Sequence, residues 1–129
     1  MQNHNPKPRT ELKHRAYQYA IETIQFLDGL PRDTSTEIIA RQLLRSATSI
    51  GANVVEAKGA SSKRDFANFF SNALKSANET LYRLGLLRDA KKIGGPKLEH
   101  LLNEAAELAN MLGASILTLK GKKNLSVRL

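Results

Sequence analysis

The chain has 129 residues, a length typical of one domain with a single hydrophobic core. It contains no cysteine, which excludes disulfides, thiolate zinc sites and cysteine nucleophiles and is typical of a reducing compartment. No apolar run approaches the roughly 18 residues that a membrane span requires, and the polar N-terminal residues lack the apolar region of a signal peptide. We therefore expect a cytoplasmic protein without a membrane anchor.

The chain is strongly basic. It carries 20 Lys and Arg residues against 12 Asp and Glu residues, a formal net charge of +8. Such an excess favours a polyanionic partner such as RNA or DNA, although surface charge also serves solubility alone.

Hydrophobic side chains recur at helical spacing in four segments, of which the first two cover residues 10–28 and 34–58. Thr34 and Glu37 have the spacing of a capping box, which predicts that the second helix begins at Thr34. Gly59 provides a stop signal for that helix.

The third and fourth segments have similar signals. Ser62 and Asp65 have the spacing of a weaker capping signal, and the third helix is expected to end before Gly94. Pro96 suits the first position of the fourth helix, and Gly121 is expected to end it.

Four amphipathic segments joined by short turns predict an all-α fold, an antiparallel up-down-up-down four-helix bundle. We expect the bundle to cover residues 10–120. Residues 1–9 would form a flexible basic N-terminal arm, and residues 121–129 a basic C-terminal tail.

A row of polar residues follows the second helix, and a matching row follows the third. If the hairpin between them turns near residue 60, facing residue numbers sum to about 121. That register would pair Arg45 with Glu79 and Ser49 with Asn72, and would also pair Glu56 with Arg64. We interpret these rows as a structural clasp between the two helices. Its residues are Arg45, Ser49, Asn53, Glu56, Asn72 and Glu79.

The candidate catalytic and metal-binding residues are better explained as structural or solvated groups. Glu56 and Glu79 are too far apart along the bundle axis for an acid/base pair. His100, Glu104 and Glu107 have metal-like spacing, but they lie opposite the apolar stripe of their helix, which favours a solvated face. No phosphate-binding glycine loop or hydrolase motif occurs. We therefore predict no enzyme activity, no metal and no cofactor.

In an up-down bundle, both termini and the turn between the second and third helices lie at the same end. Eleven basic residues fall there against three acidic ones, Glu11, Glu56 and Asp65, and the difference equals the whole net charge. We call this the basic end and predict that it binds nucleic-acid phosphates. Its residues are Lys7, Arg9, Lys13, Arg15, Lys58, Lys63, Arg64, Lys120, Lys122, Lys123 and Arg128.

The first helix has a broader apolar arc than one buried face requires. Tyr17, Ile21 and Phe26 lie toward or beyond the edges of its core stripe. This surplus favours contact with another copy of the chain, although monomers also expose large apolar residues.

The segments RQLLRSATSIGANVVEAKGASSKRDFANFF and ALKSANETLYRLGLL resemble a bacterial family of four-helix bundles that was first noticed as products of intervening sequences in large-subunit ribosomal RNA genes. The most specific element is Arg45-Ser46-x-x-Ser49-Ile50-Gly51-Ala52-Asn53-x-x-Glu56-Ala57. The resemblance implies an up-down bundle that assembles into a barrel-like homopentamer. A related member, the accessory variability determinant of diversity-generating retroelements, is similarly basic and binds nucleic acid and a reverse transcriptase.

Together these observations predict a non-enzymatic, self-associating bundle that binds RNA or DNA, with a nucleoprotein as its setting. The alternative is an adaptor that binds another protein, for example a reverse transcriptase or ribosomal component, without touching nucleic acid. An enzyme with a site between subunits would require an interfacial carboxylate cluster, which the sequence does not indicate.

Overall fold

The fold consists of four helices. The computed structural model describes the backbone of residues 8–128 and the side chains of residues 11–121. Within the described backbone there is no β-strand. The helices are α1 (Pro8–Leu27), α2 (Thr34–Ala57), α3 (Lys63–Asp89) and α4 (Pro96–Arg128).

Each helix packs against the next one in the chain, and α1 also packs against α4. Because the connections are short, successive helices run in opposite directions. The predicted all-α, up-down-up-down four-helix bundle is therefore confirmed. This topology brings the start of α1, the α2/α3 turn and the end of α4 to the same end of the bundle.

The core lies on the bundle axis and is built mainly from leucine and alanine. Burying each leucine contributes about 1.5–3 kcal/mol, and the alanines allow close helix approach. Tyr19 is buried, and its hydroxyl donates a hydrogen bond to the backbone carbonyl of Leu101 at 2.9 Å, joining α1 to α4. Burial raises the pKa of this phenol above its usual range. The largest buried side chains are Tyr19, Phe70, Leu12, Leu43, Ile50, Leu84, Leu87, Leu98, Leu101, Leu108 and Leu112.

α1 exposes less apolar surface than predicted. Phe26 is 6% exposed and belongs to the core, because α4 covers that side of α1. Tyr17 faces outward, with 69% of its surface exposed, and Ile21 is partly buried. Ile24 is 49% exposed, although its helical spacing predicts a core position.

α2 begins at Thr34, as predicted, but the residue that caps it is not the predicted one. Asp33, not Thr34, is the N-cap, and its carboxylate accepts hydrogen bonds from the Thr36 backbone N–H and hydroxyl at 3.0 Å each. The capping-box prediction is therefore wrong. An aspartate carboxylate one position earlier satisfies the free N–H groups better than a threonine hydroxyl does. The Ser62 cap of α3, which accepts from the Asp65 N–H, is confirmed.

The Asp33 cap should make the N-terminus of α2 sensitive to acid. The backbone N–H of Thr36 is the main cause that lowers the pKa of Asp33 to about 2. Because this pKa lies below the unfolded value of about 3.9, the cap stabilises the fold above pH 4 and is lost as the pH falls toward 2. We expect the urea midpoint to fall over this pH range less steeply in Asp33→Asn, which keeps the acceptor oxygen but does not titrate. Equal pH dependence in both proteins would contradict this role.

The other helix ends follow known stop signals, with one exception. α3 ends in a left-handed turn at Lys91 (φ 59°), where the Lys92 N–H reaches the Leu87 carbonyl. Pro96 opens α4 as predicted. The prediction that Gly121 ends α4 is wrong, since the helix continues to Arg128. A helical glycine costs about 1 kcal/mol against alanine but does not by itself stop a helix.

The N-terminal boundary also differs slightly. α1 begins at Pro8, two residues before the predicted start, because proline is well tolerated at the first helical position. The rest of the predicted arm, residues 1–7, lies outside the described residues, as does Leu129 at the end of the predicted tail.

Candidate nucleic-acid interface

A cleft of about 610 Å³ opens at the basic end of the bundle. Lys13 of α1, Lys58 after α2 and Lys63 of α3 lie along it, and its floor is apolar, with Phe66 and Phe70. Within the described side chains these three lysines form no ion pair, and all three are exposed. Three cations from three different elements therefore point to one surface.

The α2/α3 turn keeps two of these lysines together. Lys58 is the C-cap of α2, and the Gly59 and Ala60 N–H groups bond back to the last turn of that helix. Lys63 is the first residue of α3, immediately after the Ser62 cap. Because the turn is short and hydrogen-bonded, the spacing of the two lysine Cα atoms is restricted, and both side chains extend from the same end of the bundle.

Apart from Arg15, the remaining predicted members of the basic end divide into two groups. Arg64 and Lys120 are exposed and form no ion pair among the described side chains. The side chains of the others lie outside the described residues: Lys7, Arg9, Lys122, Lys123 and Arg128.

Arg15 is not directed to this cleft. Its guanidinium forms a bidentate pair with Glu104 of α4, with Nη2–Oε1 at 2.7 Å and Nε–Oε2 at 2.9 Å, and lies 3.9 Å from Glu107. The Glu104 hydrogen bond raises the pKa of Arg15. Since its charge is neutralised inside the bundle, we leave Arg15 out of the interface.

Removing the Glu104 charge should destabilise the bundle. Glu104→Gln keeps the size of the side chain but weakens a partly buried, bidentate pair, and we expect a loss of about 1–2 kcal/mol of unfolding free energy. Thermal unfolding followed by circular dichroism measures the effect. Asp89→Asn, which removes an exposed ion pair with the neighbouring Arg88, is the control and should leave the midpoint nearly unchanged. Equal midpoints for both variants would contradict a structural role of Glu104.

The histidine and glutamates of α4 face α1 and are not a purely solvated row. His100 Nε2 lies 2.9 Å from a Glu22 carboxylate oxygen, and Glu104 and Glu107 both lie near Arg15. The solvated-face prediction is wrong for Glu104. Its side chain is only 20% exposed, because Arg15 of α1 packs against it and forms an ion pair with it. No group of potential ligands among the described side chains could hold a metal ion.

The predicted clasp residues lie together, but they do not pair as predicted. Arg45, Ser49, Asn53, Asn72 and Glu79 line one groove of about 460 Å³ between α2 and α3, whereas Glu56 lies outside it. Arg45–Glu79, Ser49–Asn72 and Glu56–Arg64 are not among the hydrogen bonds and ion pairs of the described side chains. Asn53 instead bonds within α2, to the Ser49 carbonyl at 2.9 Å.

A shifted register explains the missing pairs. The two cross-helix hydrogen bonds join Thr80 to Ser46 at 2.9 Å and Arg83 to the Gln42 carbonyl at 3.3 Å, so facing residue numbers sum to 126 and 125. The shift of four to five residues is slightly more than one helical turn.

Two residues at this groove were missed by the sequence analysis: Lys75, which lines it, and Thr80, which is fully buried on α3. Ser76 and Arg83 also line the groove, and both belong to the predicted polar row of α3. The available signal was the i, i+4 spacing of Ser76 and Thr80, which places hydroxyls on the core side of α3. A second, mostly apolar cleft of about 690 Å³ lies between α1 and α2, where Tyr17 and Val55 are exposed.

Comparisons with known proteins define the family. The model of the family described as 23S rRNA-intervening sequence protein matches residues 9–114. A solved structure from Bacteroides thetaiotaomicron VPI-5482, described as a protein with unknown function from the S23 ribosomal protein family, is 34% identical with a TM-score of 0.79; the match covers 85% of this chain and 98% of that one. No curated protein matches the chain. None of the four helices, as far as they are described, is long and apolar enough to cross a membrane.

Proposed function

This chain belongs to the 23S rRNA-intervening sequence protein family, and we propose that it is a non-enzymatic helical bundle that binds RNA or DNA through its basic end. The observation that carries the proposal is the convergence of Lys13, Lys58 and Lys63 on one cleft without acidic partners. Arg64 and Lys120 extend the same cationic surface. A cytoplasmic location follows as part of the proposal, since its nucleic-acid partner would lie there.

The proposed contact is electrostatic. Lysine ammonium groups neutralise phosphates and release the counterions condensed on the nucleic acid, so affinity falls as salt rises. Such contacts position a backbone and do not read its sequence. This chemistry requires several unpaired cations on one surface, and the basic end supplies them.

We also propose that the protein self-associates, with another copy covering the apolar surface between α1 and α2. Tyr17 and Val55 are 69% and 50% exposed there, and Ile24, farther along α1, is 49% exposed. The resemblance to pentameric bundles suggests a ring, in which several basic ends would act together and raise the avidity for a long polyanion.

The alternative is a protein adaptor, and the same apolar surface supports it. A partner such as a reverse transcriptase or ribosomal component would then cover Tyr17 and its neighbours, and the positive charge would serve solubility. Salt dependence discriminates between the two functions, because burial of an apolar surface is not weakened by moderate salt.

The test measures binding of the purified protein to labelled RNA and duplex DNA at several salt concentrations, with the oligomer mass determined on the same samples. Five of the described side chains at the basic end are available cations. If each contacts one phosphate, the slope of log affinity against log salt should be about −4 to −5, at roughly 0.9 per contact. Absence of binding at low salt would overturn the proposal and favour the adaptor.

A further inference from the structure

We propose that the polar groove between α2 and α3 binds an unpaired segment of nucleic acid, with phosphates held by Arg45 and Lys75 and a base stacked on Tyr82. This inference rests on the proposed function, but it concerns a surface outside the basic end. The groove has a volume of about 460 Å³, and both helices supply its walls.

The charges of the groove are available to a ligand. Arg45 and Lys75 are exposed and form no ion pair among the described side chains, and Arg83 uses one guanidinium nitrogen to contact the Gln42 carbonyl. Glu79 is the one acidic residue of the lining. Three cations against one carboxylate leave an excess positive charge, which suits a phosphodiester backbone.

The groove also offers uncommitted polar groups. Ser76 is 7% exposed, lines the groove, and its hydroxyl makes no hydrogen bond to another described group. Asn72 is exposed, and its side-chain amide also has no partner within the described residues. No buried side-chain N or O atom among the described residues lacks a hydrogen-bond partner, so the Ser76 hydroxyl is reached by solvent in the groove and is available to a polar ligand atom. Hydroxyls and amides both donate and accept, as base edges require.

An exposed aromatic ring completes the set. Tyr82 is 68% exposed and lines a concavity on α3 that shares Lys75, Glu79 and Arg83 with the groove. Aromatic rings beside cations are the usual combination for single strands, because every unpaired base has a face that can stack.

The dimensions favour an unpaired strand over a duplex. Gln42 and Asn53 are eleven residues apart on α2, which corresponds to roughly 16 Å of groove at about 1.5 Å per residue. Two helices packed about 8–10 Å apart leave a furrow that admits a base or a phosphate but not a double helix. The Asn53 end of the groove is five residues from Lys58, so one strand could contact the basic end and continue into the groove.

The test compares a short labelled single-stranded RNA with a blunt duplex of the same sequence, by fluorescence anisotropy on the full chain. We expect Tyr82→Ala to lower the affinity for the single strand about tenfold and to leave the duplex affinity unchanged. Tyr82→Phe is the matched control, because it keeps the ring and should keep the affinity. Glu79→Gln should tighten single-strand binding a few-fold by removing the repelling charge, a gain that a purely structural role would not produce.

The outcomes separate this inference from the proposed function. Failure of the wild-type protein to bind either RNA, or duplex DNA in the same assay, would overturn both. Binding by the wild type with equal single-strand affinity for Tyr82→Ala would overturn the groove assignment alone, and the basic end would remain the binding surface.

Discussion

Reversing two charges at the basic end, with Lys58→Glu and Lys63→Glu together, should lower the affinity for RNA about 100-fold near physiological salt. A lysine within about 4 Å of a phosphate contributes on the order of 1 kcal/mol in water, and a glutamate at the same place repels by a similar amount. Salt screens part of this change of four charge units. Anisotropy titration of labelled RNA measures the affinity, and the salt slope should also become shallower.

The double variant is expected to remain folded. Both lysines are exposed and form no ion pair among the described residues. Lys58 follows the last residue of α2, where a glutamate is mildly unfavourable for the helix dipole, whereas Lys63 begins α3, where a glutamate is favourable. These two effects have opposite signs, so the circular dichroism spectrum and thermal midpoint should change little.

The matched control reverses two cations at the other end of the bundle. Arg32 lies in the turn between α1 and α2, and Lys97 is the second residue of α4. Arg32→Glu with Lys97→Glu changes the net charge by the same four units, far from the basic end. We expect an affinity within about threefold of the wild type, because screening weakens charges more than a Debye length away. Equal losses in the two double variants would contradict a localised interface.

The features that were predictable from the sequence depend on local chemistry. Ser62 and Pro96 mark helix starts because a hydroxyl cap and a fixed φ act within a few residues. The apolar period of each segment specifies which face is buried, and this was sufficient for the four-helix bundle. Asp33 shows the limit of such signals, since two adjacent residues could both cap α2 and only the structure decides between them.

The partners of polar side chains were less predictable, because they depend on how far one helix slides along another. A shift of about one turn separates the predicted pair Arg45–Glu79 from the observed contacts of Ser46 and Arg83. Arg15 was assigned to the basic end by its position in the chain, but its contact depends on which α4 residue faces it. The register between two helices is determined by side-chain packing over their whole interface. The hydrophobic periodicity of each helix does not specify that packing.

The second large effect is expected at a close contact between α1 and α2. Ala16 is completely buried, and a methyl group added to Gly51 would lie 3.4 Å from the Ala16 Cβ. Ala16→Leu inserts three more carbon atoms into this contact and should force the helices apart. We expect a loss of about 3 kcal/mol of unfolding free energy. That loss corresponds to a thermal midpoint lower by roughly 10 °C at equal protein concentration.

Gly51→Ala is the informative partner of that variant, because it adds a single methyl group to the same contact from the opposite helix. The added methyl group meets Ala16 at ordinary van der Waals distance, and alanine favours the helix over glycine by up to about 1 kcal/mol. We therefore expect a thermal midpoint equal to or slightly above that of the wild type. A destabilised Gly51→Ala would mean that even one methyl group exceeds the space between the helices, whereas a fully stable Ala16→Leu would mean that α1 and α2 can separate without cost.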